Sequence, residues 1–153
     1  MSAAPAKPRF AVGEVLRATP RCMNRERMRW YVDALFTAKE NDGKQHIGER
    51  NIHTDDEYAR SQGLPGIISD GMISTNWIYN LLLDTFGADF LRAGSLRTKY
   101  VMPITENRLV SAGFRVLETK PSGDRTRYGL EVWCEDDSGT ILTVGAASVV
   151  ARH

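Results

Sequence analysis

The sequence predicts a single α+β domain in which an antiparallel sheet wraps around one buried central helix. Three observations lead to this fold class. Residues 71–86 are apolar around most of a helical circumference, which is typical of a helix in the middle of a domain. The segments that follow alternate apolar and polar residues and are separated by turn residues, as in strands joined by hairpins. A chain of 153 residues suits one domain with its own hydrophobic core.

The composition excludes several classes of function. The net charge of +1 gives no electrostatic footprint for nucleic acid or for an anionic membrane. No apolar run is long enough to cross a bilayer, and residues 1–9 form an expected loose tail without a secretory signal's apolar stretch. Cys22 and Cys134 stand outside any metal or redox spacing. We therefore expect one soluble cytoplasmic domain, residues 10–153, with two reduced thiols.

In the first part of this domain, the residue pattern predicts one strand and one helix. Residues 10–17 form a short edge strand. Asn24 caps a helix over residues 25–38, in which apolar residues recur at helical spacing. Residues 39–51 are polar and contain Asn-Asp-Gly, so they form a loop, and the chemistry of the protein is expected there.

A second, short helix is predicted by a capping box. Thr54 is the expected N-cap, and Glu57 reaches back from the third helical position. Gly63 ends this helix after about two turns.

The central helix and the strands complete the domain. Gly87 closes the helix over residues 71–86. Its polar exceptions each require a partner, an exposed face or a ligand: Ser74, Asn76, Asn80 and Asp84. The predicted strands cover residues 95–102, 109–118, 127–135 and 140–151, with turns at 120–124 and 136–139.

Four segments resemble conserved motifs of one family. Residues 51–59, NIHTDDEYA, are similar to the signature G-D-x-N-P-hydrophobic-H and its following short helix. Residues 65–72, PGIISDGM, are similar to a stretch of small and apolar residues that ends in His-Gly-Met. Residues 97–104 and 139–150 resemble two of the family's strands. From about residue 10 onward the chain therefore resembles the MaoC-like (R)-specific enoyl-thioester hydratases and dehydratases of the hot-dog superfamily.

The resemblance implies an activity and a set of site residues. It implies a lyase that adds water to a 2-enoyl thioester of coenzyme A or acyl carrier protein, or removes it. His53 would be the general acid/base, and the Gly71 N–H would receive the thioester carbonyl at the start of the central helix. It also implies a single hot-dog domain that forms a homodimer or higher homo-oligomer, with the acyl pocket near the interface. Pairing would remove an exposed sheet edge, which is a liability.

The sequence departs from this family at the chemistry. Gly48 stands where the family has its catalytic aspartate, and Asp70 stands where it has the histidine before Gly-Met. Three interpretations are open. The acid/base pair is rebuilt from His53 and Asp70, with Glu49 or Asp42 as weaker candidates; the chain is a non-catalytic acyl-thioester-binding subunit of a hot-dog heteromer; or a different reaction uses the same pocket.

The remaining candidates have less specific roles. Asp70 precedes a helix, where an acidic residue is more often a simple cap than a catalytic group. Asn51 would hold the loop or the water, and residues of the central helix would contact substrate: Met72, Asn76 and Tyr79. His46 is expected in solvent, and His153 has no expected role. Neither a metal-ligand cluster nor a phosphate-binding loop can be argued, so no metal and no cofactor are predicted.

Overall fold

A computed structural model of the chain describes residues 8–36 and 50–152. Within them the helices are α1 (Arg25–Phe36), α2 (Asp56–Ser61), α3 (Gly71–Phe86) and α4 (Ala88–Ala93). The strands are β1 (Val15–Arg17), β2 (Arg21–Met23), β3 (Ser95–Tyr100), β4 (Arg108–Ser122), β5 (Arg125–Asp136) and β6 (Ile141–Ala151). Several predictions lie outside the described residues: most of the tail, most of the loop over 39–51, and the positions Asp42, His46, Gly48, Glu49 and His153.

The strands form one antiparallel sheet, as the alternating segments predict. Its order is β1-β4-β5-β6-β3, and β2 pairs with β4 beyond the end of β1. All pairings are antiparallel, and β4, β5 and β6 follow one another through hairpins. Strand β3 is therefore an edge strand, and the chain reaches it directly from α3 and α4.

The core lies between α3 and the sheet. The side chains of Ile78 and Leu82 on α3 are fully buried, as are those of Phe114 on β4 and Tyr128 on β5. The start of the described chain packs onto the same core, because Phe10 contacts rings of both layers at centroid distances of 5.6 to 6.1 Å. Burial of this continuous apolar surface is what holds α3 in the curve of the sheet.

The predicted capping box is wrong by one position. Asp55 is the N-cap of α2, and its carboxylate accepts the Tyr58 N–H at 2.7 Å. The Thr54 hydroxyl instead accepts the Asn51 N–H at 3.1 Å, which tightens the turn before the helix. Two adjacent capping residues compete here, and the carboxylate interacts more strongly with the helix N-terminus than a hydroxyl does.

Other elements differ from the prediction in extent. The predicted edge strand over 10–17 is reduced to β1, and β2 and α4 were not predicted. Strands β4 and β5 extend further into their hairpin, so that the predicted turn over 120–124 shrinks to Gly123 and Asp124. The cap of α1 by Asn24 is confirmed, since its side chain accepts the Arg27 N–H at 2.8 Å.

Candidate active site

A cavity of about 400 Å³ opens beside the first turn of α3. Its walls come from the segment before α2, the segment before α3, the end of β3 and the chain after it, and the middle of β6. The lining residues are His53, Ile68, Ser69, Gly71, Ser74, Tyr100, Val101, Met102, Pro103, Ile104 and Thr143. The structure thus brings His53 and Gly71 to the same cavity, although they belong to two separate segments of the sequence.

The ring of His53 is held in one orientation by a backbone carbonyl. Its Nδ1 lies 2.9 Å from the Ile68 oxygen. A carbonyl only accepts, so Nδ1 carries the proton in this hydrogen bond, and in the neutral ring Nε2 keeps its lone pair. The backbone N–H of His53 donates to the Asn51 side-chain oxygen at 2.8 Å, so Asn51 holds the backbone of this turn. The arrangement leaves Nε2 as the ring nitrogen that can accept and return a proton.

Gly71 begins α3, and its position admits no side chain. A Cβ there would lie 2.7 Å from carbon atoms of the Tyr100 ring, closer than any real contact. The Tyr100 hydroxyl is hydrogen-bonded to Thr75 Oγ1 at 2.9 Å and to Met72 Sδ at 3.2 Å, which holds the ring against the helix. No described residue accepts the Gly71 N–H. This amide is therefore a donor at the positive end of a helix, beside the cavity.

Asp70 caps α3 and does not line the cavity. Its carboxylate accepts the Met72 N–H at 2.8 Å. The sequence left open whether Asp70 is a cap or the partner of His53, and the observed hydrogen bond is that of a cap. It takes the amide of Met72 and leaves that of Gly71 unoccupied, so the two roles at this helix end do not compete.

The three predicted substrate-binding residues of α3 do not line the cavity that contains His53. Met72 is partly exposed and contacts Tyr100. Asn76 faces a second cavity, of about 570 Å³, between α1 and α3, where its amide donates to the Tyr31 hydroxyl at 3.4 Å. Tyr79 packs edge-on against Phe90 at 5.5 Å. Their roles in binding a substrate remain predictions.

Several residues of the cavity have contacts that the sequence does not predict. Ser74 was recognised as a polar exception that needs a partner, and the partner is Thr143, at 2.8 Å between the two hydroxyl oxygens. Ser74 also donates to the Gly71 carbonyl at 2.7 Å. Tyr100 lies in a segment recognised by resemblance, but nothing in that segment indicates a ring over Gly71. Such contacts join strands and helix across long sequence separations, which periodicity does not report.

Within the part of the chain that is described, no group of three or more His, Cys, Asp or Glu residues could hold a metal ion. In those same residues, no helix is long and apolar enough to span a membrane.

Comparison with known proteins finds similarity in structure alone. No protein-family model and no curated protein matches the sequence. Among solved structures, a MaoC-like dehydratase from Rhodospirillum rubrum is similar with a TM-score of 0.70 and 19% identity, over 94% of each chain. The (R)-hydratase PhaJ1 from Pseudomonas aeruginosa has a TM-score of 0.69 and 16% identity, over 94% of this chain and 83% of that one.

A solved heteromeric complex contains a chain of similar fold. The HadBC complex of Mycobacterium tuberculosis, a (3R)-hydroxyacyl-ACP dehydratase, is similar with a TM-score of 0.65 and 13% identity, over 92% of this chain and 96% of that one. At identities this low, the structural similarity establishes the fold alone. The chain has the hot-dog fold, as the sequence predicts, and the expected resemblance to MaoC-like proteins is confirmed at that level.

Proposed function

We propose that the chain binds a 2-enoyl or 3-hydroxyacyl thioester in the cavity beside α3 and adds or removes water. One observation carries the proposal. His53, with its tautomer fixed by the Ile68 carbonyl, and the unoccupied N–H of Gly71 border the same cavity. A base and an oxyanion donor on one small space are what the chemistry of an activated carbonyl requires. The names of the similar hydratases and dehydratases support the same class of reaction.

In the proposed reaction the thioester oxygen accepts the Gly71 N–H. His53 Nε2 removes a proton from water, and the water oxygen forms a bond to the β-carbon of the enoyl group. The carbon–carbon double bond shifts its electron pair toward the carbonyl, so negative charge develops on the thioester oxygen beside Gly71. The imidazolium then returns the proton to the α-carbon. The sum is addition of one water molecule, and the reverse sequence eliminates it.

The proposed reaction steps use a single proton-transferring group, the His53 ring. One ring can serve both steps when hydroxyl and proton add to the same face of the double bond, since Nε2 then faces both carbon atoms. No carboxylate lines the cavity among the described residues. In this proposal Asp70 supports the reaction by capping α3 and so orienting the Gly71 amide, rather than by transferring a proton.

A second candidate function is a non-catalytic acyl-thioester-binding subunit. It is favoured by the described lining residues, among which there is no carboxylate, and by the Gly48 position, where the resemblance places an aspartate. The similar HadBC structure is that of a two-component dehydratase, so this fold occurs in heteromers. The two candidates share the binding step and differ in turnover by the isolated chain.

The test follows the conjugated enoyl-thioester absorbance over short, branched and aryl acyl-CoA substrates. We expect turnover by the wild type, a loss of about 10²- to 10⁴-fold in kcat for His53→Ala, and a loss below about tenfold for Asp70→Asn. The amide side chain of Asn still caps a helix but cannot transfer a proton. A loss in Asp70→Asn as large as in His53→Ala would instead support the rebuilt His-Asp pair.

The Gly48→Asp variant separates the two candidate functions. Activity that appears in this variant alone would mean that the natural chain binds thioesters and lacks an acid, which favours the subunit. Absence of turnover and of thioester binding in every variant, with folding intact by circular dichroism, would contradict both candidates.

A further inference from the structure

We propose that Arg25 is a positioning residue for His53, because its guanidinium joins the two chain segments that hold the ring and face it. The inference rests on the proposed function where it concerns turnover. Its structural content, the orientation of the His53 ring, can be measured independently of any substrate.

Arg25 begins α1 and binds two carboxylates at once. Its Nη1 donates to Asp56 Oδ2 at 2.7 Å. Its Nε and Nη2 donate to Glu106 at 3.0 and 2.6 Å. The three side chains are about one-third exposed or less, at 34%, 28% and 31%. A planar guanidinium suits this double contact, since its five N–H groups point outward in fixed directions.

The first branch leads from Asp56 to the carbonyl that holds the His53 ring. Asp56 is the first residue of α2, three positions after His53. Its Oδ1 accepts the Ile67 N–H at 3.0 Å. The carbonyl of the next residue, Ile68, accepts from His53 Nδ1, and the Ile68 N–H donates to the Ile52 oxygen at 3.1 Å. Asp56 thereby fixes both the helix behind His53 and the strand-like segment in front of it.

Gly66 is shaped for this contact. A Cβ at Gly66 would lie 2.9 Å from Asp56 Oδ1, so a side chain there would displace the carboxylate from the Ile67 amide. The close approach of backbone and carboxylate is what lets one side chain fix the following residues.

The second branch leads from Glu106 to the opposite wall. Two residues before it, Ile104 lines the cavity and accepts the Ser69 N–H at 2.8 Å. Thr105 and Ile68 form an isolated antiparallel bridge. The segment that carries the His53 partner is therefore bonded on one side to residue 52 and on the other to residues 104 and 105. Arg25 joins the two segments that flank Ile68, because it binds Asp56 after the first segment and Glu106 after the second.

The cluster is charged under ordinary conditions. Hydrogen bonding to Arg25 lowers the pKa of Asp56 to about 2 and lowers that of Glu106 below its usual value. Removal of the guanidinium leaves two partly buried carboxylates without the cation that they share. Their repulsion would separate α2 from the chain after β3, and with them the residues on the two sides of the His53 partner.

The first measurement uses the full-length chain labelled with ¹⁵N. The ring nitrogens of His53 are assigned by the signals that disappear in His53→Gln. In the wild type we expect protonated Nδ1 and unprotonated Nε2 when the ring is neutral. Arg25→Gln should shift the signals toward the other tautomer or toward an average of the two, because the Ile68 carbonyl no longer stays in place. Arg25→Lys keeps the charge but loses the planar double contact, so its signals should lie between those of the other two proteins.

Arg50 provides the matched control. It also binds two carboxylates at α2, Asp55 and Glu57, at 2.8 and 2.9 Å, but neither of them contacts the Ile67–Ile68 segment. Arg50→Gln should leave the His53 ring signals unchanged. Under the proposed function, Arg25→Gln lowers kcat by about 10- to 100-fold with KM changed less than about threefold, while Arg50→Gln stays within about twofold in both.

The outcomes separate the inference from the proposed function. Wild-type His53 signals in a folded Arg25→Gln protein would overturn the positioning role, whatever the turnover. Altered ring signals in Arg25→Gln, together with no thioester turnover by the wild type, would support the positioning role and contradict the catalytic proposal. If Arg25→Gln does not fold, the same comparison is made with Arg25→Lys and Glu106→Gln, where unaltered ring signals in both would overturn the inference.

Discussion

At the scale of single residues, the two cysteines have different surroundings. Cys134 is buried on β5, and its Sγ contacts the Ser74 carbonyl oxygen at 3.6 Å beneath α3. Burial raises the pKa of this thiol to about 12. Cys22 lies on the short strand β2 and is partly accessible. The thiolate is the reactive form, so Cys134 is inert in the folded protein by two separate causes, low access and low ionisation.

We therefore expect one thiol to react in the native protein and a second to react only after unfolding. Titration with a chromogenic disulfide at neutral pH should give about one equivalent, and about two in denaturant. Cys22→Ser should remove the native reactivity, while Cys134→Ala should keep it. Equal rates for both thiols in the native wild type would contradict the prediction and would indicate frequent separation of α3 from the sheet.

The sequence predicted some residues of the candidate active site but not others. His53 and Gly71 were predicted from short motifs, and the structure places both at one cavity. The sequence favoured a cap at Asp70 but left the role of catalytic partner open, because only the direction of the carboxylate distinguishes the two roles. Tyr100 and Thr143 were missed, since their contacts with α3 depend on how far the sheet curves around the helix.

At the scale of elements, the accuracy of prediction followed the length of the repeating pattern. The limits of α3 were predicted to the residue, because its apolar surface is broad and Gly87 adopts a positive φ of 57° directly after it. The six-residue helix α4 buries only Phe90, and β2 has only three residues. Segments this short have no measurable period, and β2 exists because β4 is long enough to pair with two segments in succession.

The contact between α1, α2 and the chain after β3 predicts sensitivity to acid. Arg25 lowers the pKa of Asp56 to about 2, below its value of about 3.9 in an unfolded chain. A carboxylate with a depressed folded pKa contributes stability that is complete above the unfolded value and is lost as the pH falls through the folded value. The loss from this group should therefore occur between about pH 4 and pH 2.

Thermal unfolding across this range gives the test. At pH 7, Asp56→Asn should lower the free energy of unfolding by about 1–2 kcal/mol, after allowance for solvent screening of a partly exposed pair. The variant should therefore unfold at a lower temperature than the wild type. The difference should shrink toward pH 2. Glu118→Gln is the control, because the Glu118–Lys120 pair is half exposed on the surface of β4 and should have no measurable effect. An Asp56→Asn difference that is constant between pH 7 and pH 2 would contradict the assignment to the Asp56 charge.

At the scale of the whole molecule, one sheet edge and the cavity mouth coincide. Strand β3 pairs only with β6 among the described strands, so its other edge is open. The chain leaves this edge through three apolar side chains that are 47%, 42% and 50% exposed, those of Tyr100, Val101 and Met102. All three also line the cavity. An open strand edge beside exposed apolar residues favours pairing with another chain.

We expect this edge to be the interface of a homodimer, with the cavity closed in part by the second copy. Light scattering of the purified chain should give the mass of two copies, and Val101→Asp should shift the population toward monomers by placing unpaired charge in the interface. Leu117→Asp is the control, because Leu117 is 55% exposed on β4, which β5 and β6 separate from β3 in the sheet. A dimer that persists in Val101→Asp would place the interface elsewhere. A wild-type monomer that pairs only with a co-expressed homologue carrying aspartate at the position of Gly48 would reassign the edge to a heteromer, and the missing carboxylate would then be supplied by the second chain's own site.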